Sequence, residues 1–378
     1  MSNIKKDSDD AKGKTGGLSI EELKAEYAQA KEKIRALLKI KKDRNELNDK
    51  DKSAIRMAYL HAARTAKALS ERVVDYELQK GYKDDYQKLS AAASACGSAI
   101  KSKIPDTKLD DVKGLKEVKR IINNFIFIAK NDTLVEQYNL QGGLGMLMYG
   151  PPGTGKTMMA EAIANAMNLP LFIITPADIF KSYVGESEQA VRDIFTELDS
   201  CEDGAILFVD ECESIFSKRS QDTKDYKAAV TTELLQRMNG FGVSGAKRIM
   251  LAATNRPDAI DPAYLRFKRF SYQLYVELPD PEAKLEIIRK KIPPVGLADD
   301  ITEEMILEMA CVPDGNYSAA DICGIIENAC MYAISELQDR QIANAIPLTR
   351  EMITRSFKEN PSRLTDEMLA MYKTFKIE

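Results

Sequence analysis

The sequence predicts an α/β domain built on a parallel sheet flanked by helices, with a small α-helical domain after it and a helical hairpin or three-helix region before it. Three observations carry that prediction. Gly150-Pro151-Pro152-Gly153-Thr154-Gly155-Lys156-Thr157 fits the phosphate-cradling pattern GxxxxGK[ST]. It stands between an apolar run at 146–149 and a helix-like stretch at 158–166. Short apolar runs then alternate with helix-like segments as far as Pro279-Asp280-Pro281, where strand signals stop.

Taken in order, residues 1–17 are rich in Lys, Asp, Gly and Ser and bury almost nothing, which predicts a disordered tail. Ser19-Ile20-Glu21-Glu22 fits a capping box that starts a helix. Ile20, Leu23, Tyr27, Ala30, Ile34 and Leu37 form one apolar stripe at three- and four-residue steps. After a polar break at 45–51 the stripe resumes at Ile55, Tyr59, Ala62, Ala66, Leu69, Val73 and Tyr76. Two amphipathic helices with a short break between them predict an antiparallel hairpin. Gly81 punctuates, and 82–101 reads as a third helix.

The helical region is thus expected over 18–102, with Lys103-Ile104-Pro105-Asp106 as a linker. The α/β domain is expected over 103–280, with strands at 146–149, 171–175, 206–209, 248–253 and 273–276. The helical tail is expected over 281–378, with helices at 282–292, 302–311, 318–340 and 349–359 and a last one from Thr365.

A chain of 378 residues suffices for two or three domains. Its net charge of −4 hides an asymmetry: residues 1–104 hold 23 Lys and Arg against 16 Asp and Glu, and the remainder 31 against 42. The basic front suits an acidic partner or adaptor, nucleic acid or an anionic surface, the plain alternative being a solvated helical face. Six cysteines are scattered without a CxxC pair, and His61 is the only histidine. That composition argues against a zinc site or a disulfide framework and predicts a reducing, cytoplasmic setting. No stretch approaches the roughly 18 apolar residues of a membrane span, so no transmembrane segment is predicted.

In the phosphate loop, glycines let backbone N–H groups converge on phosphate oxygens, and the helix N-terminus adds positive dipole. Lys156 reaches the outer phosphates and Thr157 offers a hydroxyl to Mg²⁺. Pro152, Gly153, Thr154, Gly155 and Met158 complete the predicted cofactor contacts on this side. The apolar run 206–209 ends in Asp210-Glu211. A pair of acids there either caps the following helix or, beside a phosphate loop, divides two tasks: Asp210 helps hold Mg²⁺ and Glu211 polarises the attacking water. A further apolar run ends in Thr254-Asn255, whose amide can orient that water, the plain alternative being a turn asparagine.

These motifs, in this order, resemble the AAA-family ATPases over roughly residues 105–376. Ala253-Thr254-Asn255-Arg256-Pro257-Asp258-Ala259-Ile260-Asp261-Pro262 is similar to the family's second region of homology and is the most specific part of the likeness. The resemblance implies ATP and Mg²⁺ as cofactors and a homohexameric ring with nucleotide between subunits. It implies that Asp111, Val112 and Gly114 lie on the adenine side, and that Ile287, Ala319 and Ala320 close over the base. Arg266 and Arg269 look like the fingers that reach a neighbour's γ-phosphate, where a guanidinium suits charge spread over phosphoryl oxygens. Lys181-Ser182-Tyr183-Val184-Gly185-Glu186-Ser187 resembles a first pore loop, with Tyr183 and Val184 gripping a threaded polypeptide. Lys218-Arg219 and the polar run after it resemble a second pore loop, or form a plain surface loop.

Two departures stand out: Asn239, where many relatives carry aspartate, and Ala319, where glycine is expected. The C-terminal stretch resembles the katanin/spastin-like group and the second ring of valosin-containing protein. The function implied is an ATP-driven protein unfoldase or disassembly motor. The alternative from another class is a nucleic-acid-linked P-loop ATPase gripping phosphate backbone with its basic front.

Overall fold

The computed structural model describes residues 18–43, 49–95, 101–138, 144–180, 186–201, 204–217, 225–238, 248–266, 269–311, 315–340 and 344–375. The chain forms two compact units, Met1–Ile104 and Pro105–Glu378.

The first unit contains α1 (Ile20–Asp43), α2 (Asp49–Arg72), α3 (Tyr76–Ala95) and a short strand, β1 (Lys101–Lys103). The capping box closes at both ends: Ser19 N donates to Glu22 Oε2 at 2.6 Å, and Glu22 N to Ser19 Oγ at 3.2 Å. Leu23, Tyr27, Ala30 and Ile34 of α1 are buried, as are Ile55, Ala62, Ala66 and Leu69 of α2. Arg72 Nη1 donates to Leu18 O, and Arg64 Nη2 to Glu26 Oε1 at 3.4 Å. Partners descend along α2 as they ascend along α1, so the two helices run antiparallel, as the stripes predict.

The third helix corrects the sequence reading. It starts at Tyr76, six residues early, and runs straight through Gly81. Asp75 Oδ1 accepts from Leu78 N at 3.0 Å and caps the new start. An exposed glycine inside a helix costs only about 1 kcal/mol, which a 20-residue helix packed on α2 absorbs. The expected end at 101 is also overturned, because Lys101–Lys103 is strand. Tyr86 OH donates to Ile104 O at 2.7 Å and Arg56 Nε to Ser102 Oγ at 3.0 Å, so the start of the expected linker is held in place.

In the second unit, five strands are mutually parallel: β2 (Leu144–Tyr149), β3 (Leu171–Ile174), β4 (Ala205–Val209), β5 (Arg248–Thr254) and β6 (Tyr272–Tyr275). Their order across the sheet is β3-β4-β5-β2-β6. The strands are apolar on both faces. Met146, Met148, Phe208 and Leu251 pack against Ile122, Phe125, Met159 and Ile163, which come from α4 (Lys116–Lys130) and α6 (Lys156–Met167). The opposite-facing Leu147, Leu207, Met250 and Ala252 are buried too, so both faces are covered, as a parallel sheet requires. The remaining helices here are α5 (Asp132–Gln137), α7 (Pro176–Ile179), α8 (Glu186–Asp199) and α9 (Asp225–Met238).

The tail begins where Asp280 caps a helix by accepting from Ala283 N at 2.7 Å, with Pro281 at the first turn. It comprises α10 (Pro281–Lys291), α11 (Glu303–Cys311), α12 (Ala319–Arg340), α13 (Arg350–Glu359) and α14 (Asp366–Thr374). Ile288, Ile306, Ile325, Ala329 and Ile353 form a core of its own. Each of the five helices starts within one residue of its predicted position. The expectations for 1–17, Lys181–Gly185 with Tyr183 and Val184, Lys218 to Lys224 and Asn239 lie outside the described residues.

Candidate nucleotide-binding site

The strand order decides which loops meet. β2 lies between β5 and β6, with β4 beyond β5. The segments leaving the C-terminal ends of β2, β4 and β5 therefore share one edge of the sheet, where ligands bind in open α/β folds. They carry the phosphate loop, Asp210-Glu211 and Asn255.

Gly153 has φ +74, and a Cβ there would lie 2.4 Å from Ser318 Oγ and 2.8 Å from the Ala320 Cβ. Gly155, at φ +91, caps α6, and a Cβ added there would meet nothing within 4 Å. Ala320 N donates to Gly153 O at 3.1 Å, which docks the start of α12 on the loop. Lys156 is buried, and its Nζ donates to Gly150 O at 2.9 Å and Pro151 O at 2.7 Å. Burial pushes its ammonium down to about 8, against the upward pull of Asp210 and Glu213.

Thr157 Oγ1 donates to Asp210 Oδ2 at 3.1 Å across the gap between α6 and the end of β4. Asp210 Oδ1 accepts from Glu211 N at 3.0 Å. Glu211 is exposed and stands in the left-handed region at φ 50, ψ 44, a conformation a non-glycine residue adopts at a cost of order 1–3 kcal/mol. The acids do not cap a long helix; only the short turn Cys212–Ser214 follows. Beyond β5, Thr254 Oγ1 accepts from Arg256 N at 2.9 Å, and the half-buried Asn255 has its Oδ1 buried with no hydrogen-bond partner among the described residues.

The other expected residues are placed as follows. Asp111 Oδ2 accepts from Lys108 N at 2.8 Å, and that backbone bond, with Lys290 beside it, holds its carboxyl below the usual range. Val112 is buried, and a Cβ on Gly114 would lie 2.6 Å from the Ala283 Cβ of α10. Ile287 packs in the core of the tail. Met158 and Pro152 are exposed. Arg266 is exposed, and Arg269 Nη1 donates to Ala263 O within the turn between β5 and β6. Neither arginine joins the Thr157–Asp210 pair.

Two groups that motif reading did not single out also belong here. Glu213 Oε2 is buried and unpartnered among the described residues, and Tyr372 OH donates to Asn255 O at 2.7 Å. Neither has a local signature, since one lies two residues past the acidic pair and the other in the last helix.

This arrangement fits a nucleotide triphosphate. A cationic head buried on carbonyls is stabilised by an anion, Gly155 leaves its own Cβ position open beside the helix N-terminus, and an orphaned buried amide oxygen awaits a donor such as water. The Thr157–Asp210 pair is an all-oxygen donor set of the kind hard divalent cations take.

Residues 146–278 match the family model described as "ATPase family associated with various cellular activities (AAA)". The chain is 33% identical to the cell division cycle protein 48 homolog of Archaeoglobus fulgidus over 278 residues, covering 73% of this chain and 36% of that protein. It is 31% identical to spastin of Gallus gallus, covering 71% and 44%, and 30% identical to vacuolar protein sorting-associated protein 4 of Dictyostelium discoideum, covering 71% and 58%. The aligned part spans between about a third and three fifths of these relatives. Phosphate loop, acidic pair and asparagine all fall within the matched residues, and the chain therefore carries an ATP-binding domain of the AAA ATPase family.

Proposed function

We propose that this protein is a Mg²⁺-dependent ATPase that remodels proteins, working as a homohexameric ring that threads polypeptide through a central pore. The observation that carries the chemistry is the convergence of Thr157 and Asp210 at 3.1 Å beside the strained Glu211 and the unpartnered Asn255 Oδ1. Lys156 gives up its loop carbonyls to bind the outer phosphates. Thr157 and Asp210 hold the cation, which supplies charge neutralisation on phosphate oxygens when bound. Asn255 orients the attacking water, and Glu211 takes its proton. Asp111, Val112 and Gly114 hold the adenine side, with Ile287, Ala319 and Ala320 closing over the base. Arg266 and Arg269 serve the pocket of the adjacent copy, where the exposed Arg266 becomes buried in a ring. Tyr183 and Val184 grip the substrate, the basic N-terminal helices take an adaptor or acidic partner, and the setting is cytoplasmic.

The test is Glu211→Gln. It keeps the shape of the side chain and removes the base, so ATP binding persists, turnover falls by more than about 10²-fold, and a stable ring with trapped polypeptide accumulates. Turnover at the wild-type rate, or a strict monomer in ATP, removes the proposal.

A further inference from the structure

Tyr372 lies 117 residues from Asn255 in the chain, yet its hydroxyl donates to the Asn255 carbonyl at 2.7 Å. The residue is buried, and its ring lies 6.3 Å from that of Tyr275 with 16° between planes. Tyr275 stacks on Tyr149 at 5.6 Å, and Phe375, just past α14, meets Tyr149 edge-on at 5.1 Å. Tyr149 immediately precedes the phosphate loop. The other end of α14 is anchored differently. Asn316 Nδ2 donates to Asp366 Oδ1 at 2.9 Å and to Leu364 O at 3.2 Å, while Ser362 Oγ donates to Asn316 O at 2.9 Å. Asn316 leads into the start of α12, which docks on Gly153 through Ala320. The last helix is thus tied at one end to the lead-in of α12 and at the other to the sheet edge.

Asn255 stands just beyond the end of β5, whose last residue, Thr254, still pairs with Tyr149. Past that point the ladder no longer fixes the backbone. A hydrogen bond to the Asn255 carbonyl fixes the peptide plane, and with it the frame from which the side chain departs. Burial raises the Tyr372 hydroxyl above its usual range, with Asp258 and Glu213 adding to the shift, so it stays a donor near neutral pH.

We infer that Tyr372 is a positioning residue for Asn255, and that α14 is a strap through which the helical tail controls hydrolysis. The inference rests on the water-orienting role of Asn255 in the proposed function. Tyr372→Phe keeps the ring and its stacking and deletes only the donor. In the full-length chain, kcat for ATP is expected to fall about fivefold, the size of one neutral hydrogen bond, while KM and oligomeric state stay at wild-type values and the melting temperature falls by no more than about 4 °C, the stability that one bond contributes. In an Asn255→Ala background the same substitution is expected to cause no further loss.

Unchanged kcat in Tyr372→Phe, with Asn255→Ala inactive, overturns the inference and leaves the reading of the site intact. A kcat loss accompanied by a larger fall in melting temperature or by a broken assembly also overturns it, because the hydroxyl then serves folding alone. Full turnover by Asn255→Ala overturns the reading of the site, and this inference with it.

Discussion

Lys156 makes nucleotide affinity a function of pH. Burial lowers its pKa from 10.5 to about 8 in the free protein. Such a drop corresponds to about 3 kcal/mol of penalty on the charged form. At pH 7 both folded and unfolded chains carry the proton, so the folded state bears that whole penalty. As pH rises through 8 the folded protein sheds its proton first, and the penalty on folding is relieved until the unfolded lysine also titrates near 10.5. A triphosphate beside the ammonium restores a pKa near the ordinary value, so binding above pH 8 takes up a proton. The Kd for ATP should be flat between pH 7 and 7.5, then rise toward a limit of about tenfold per unit above pH 8. Calorimetric titration in two buffers of different ionisation enthalpy reads the proton count directly, which should approach one at pH 9. In Lys156→Met, binding should be weak at every pH and the proton uptake absent. Equal Kd at pH 7 and pH 9 with no proton taken up would exclude contact between this ammonium and the phosphates, since a buried lysine that meets phosphate cannot avoid that linkage.

Two further outcomes follow from the same geometry. Glu211→Gly relieves the left-handed backbone and should raise stability in urea unfolding by about 1 kcal/mol while abolishing hydrolysis; a destabilised variant contradicts the strain. Gly153→Ala places a methyl against Ser318 and Ala320 at positive φ, and should lower stability by about 1–3 kcal/mol and weaken nucleotide binding. A thermal melt and an ATP titration at wild-type values would show that the loop relaxes freely.

Much of the chain was legible because its signals are local. Parallel strands buried on both faces need unbroken apolar runs, and β2 to β6 all stand within two residues of those runs. Helices of the tail announce themselves through Asp280 with Pro281, Thr349 and Thr365, whose side chains accept from the first turn. Gly81 misled because a local breaker is overruled when a helix has a long buried flank to pack. The pairing of Thr157 with Asp210 was foreseeable from motif spacing, but its distance was not.

Local signals along the chain specify the inventory: a phosphate loop on a strand–helix junction, acids and an amide at later strand ends, and a helical tail. Backbone sterics, capping and side-chain periodicity act over a few residues, so a linear reading captures them. Long-range packing sets the rest: β2 slots between β5 and β6, α12 docks on Gly153, and the hydroxyl of Tyr372 reaches the carbonyl of Asn255. Those contacts join segments more than a hundred residues apart, and they are chosen by burial of whole faces against one another, a condition no short window of sequence contains.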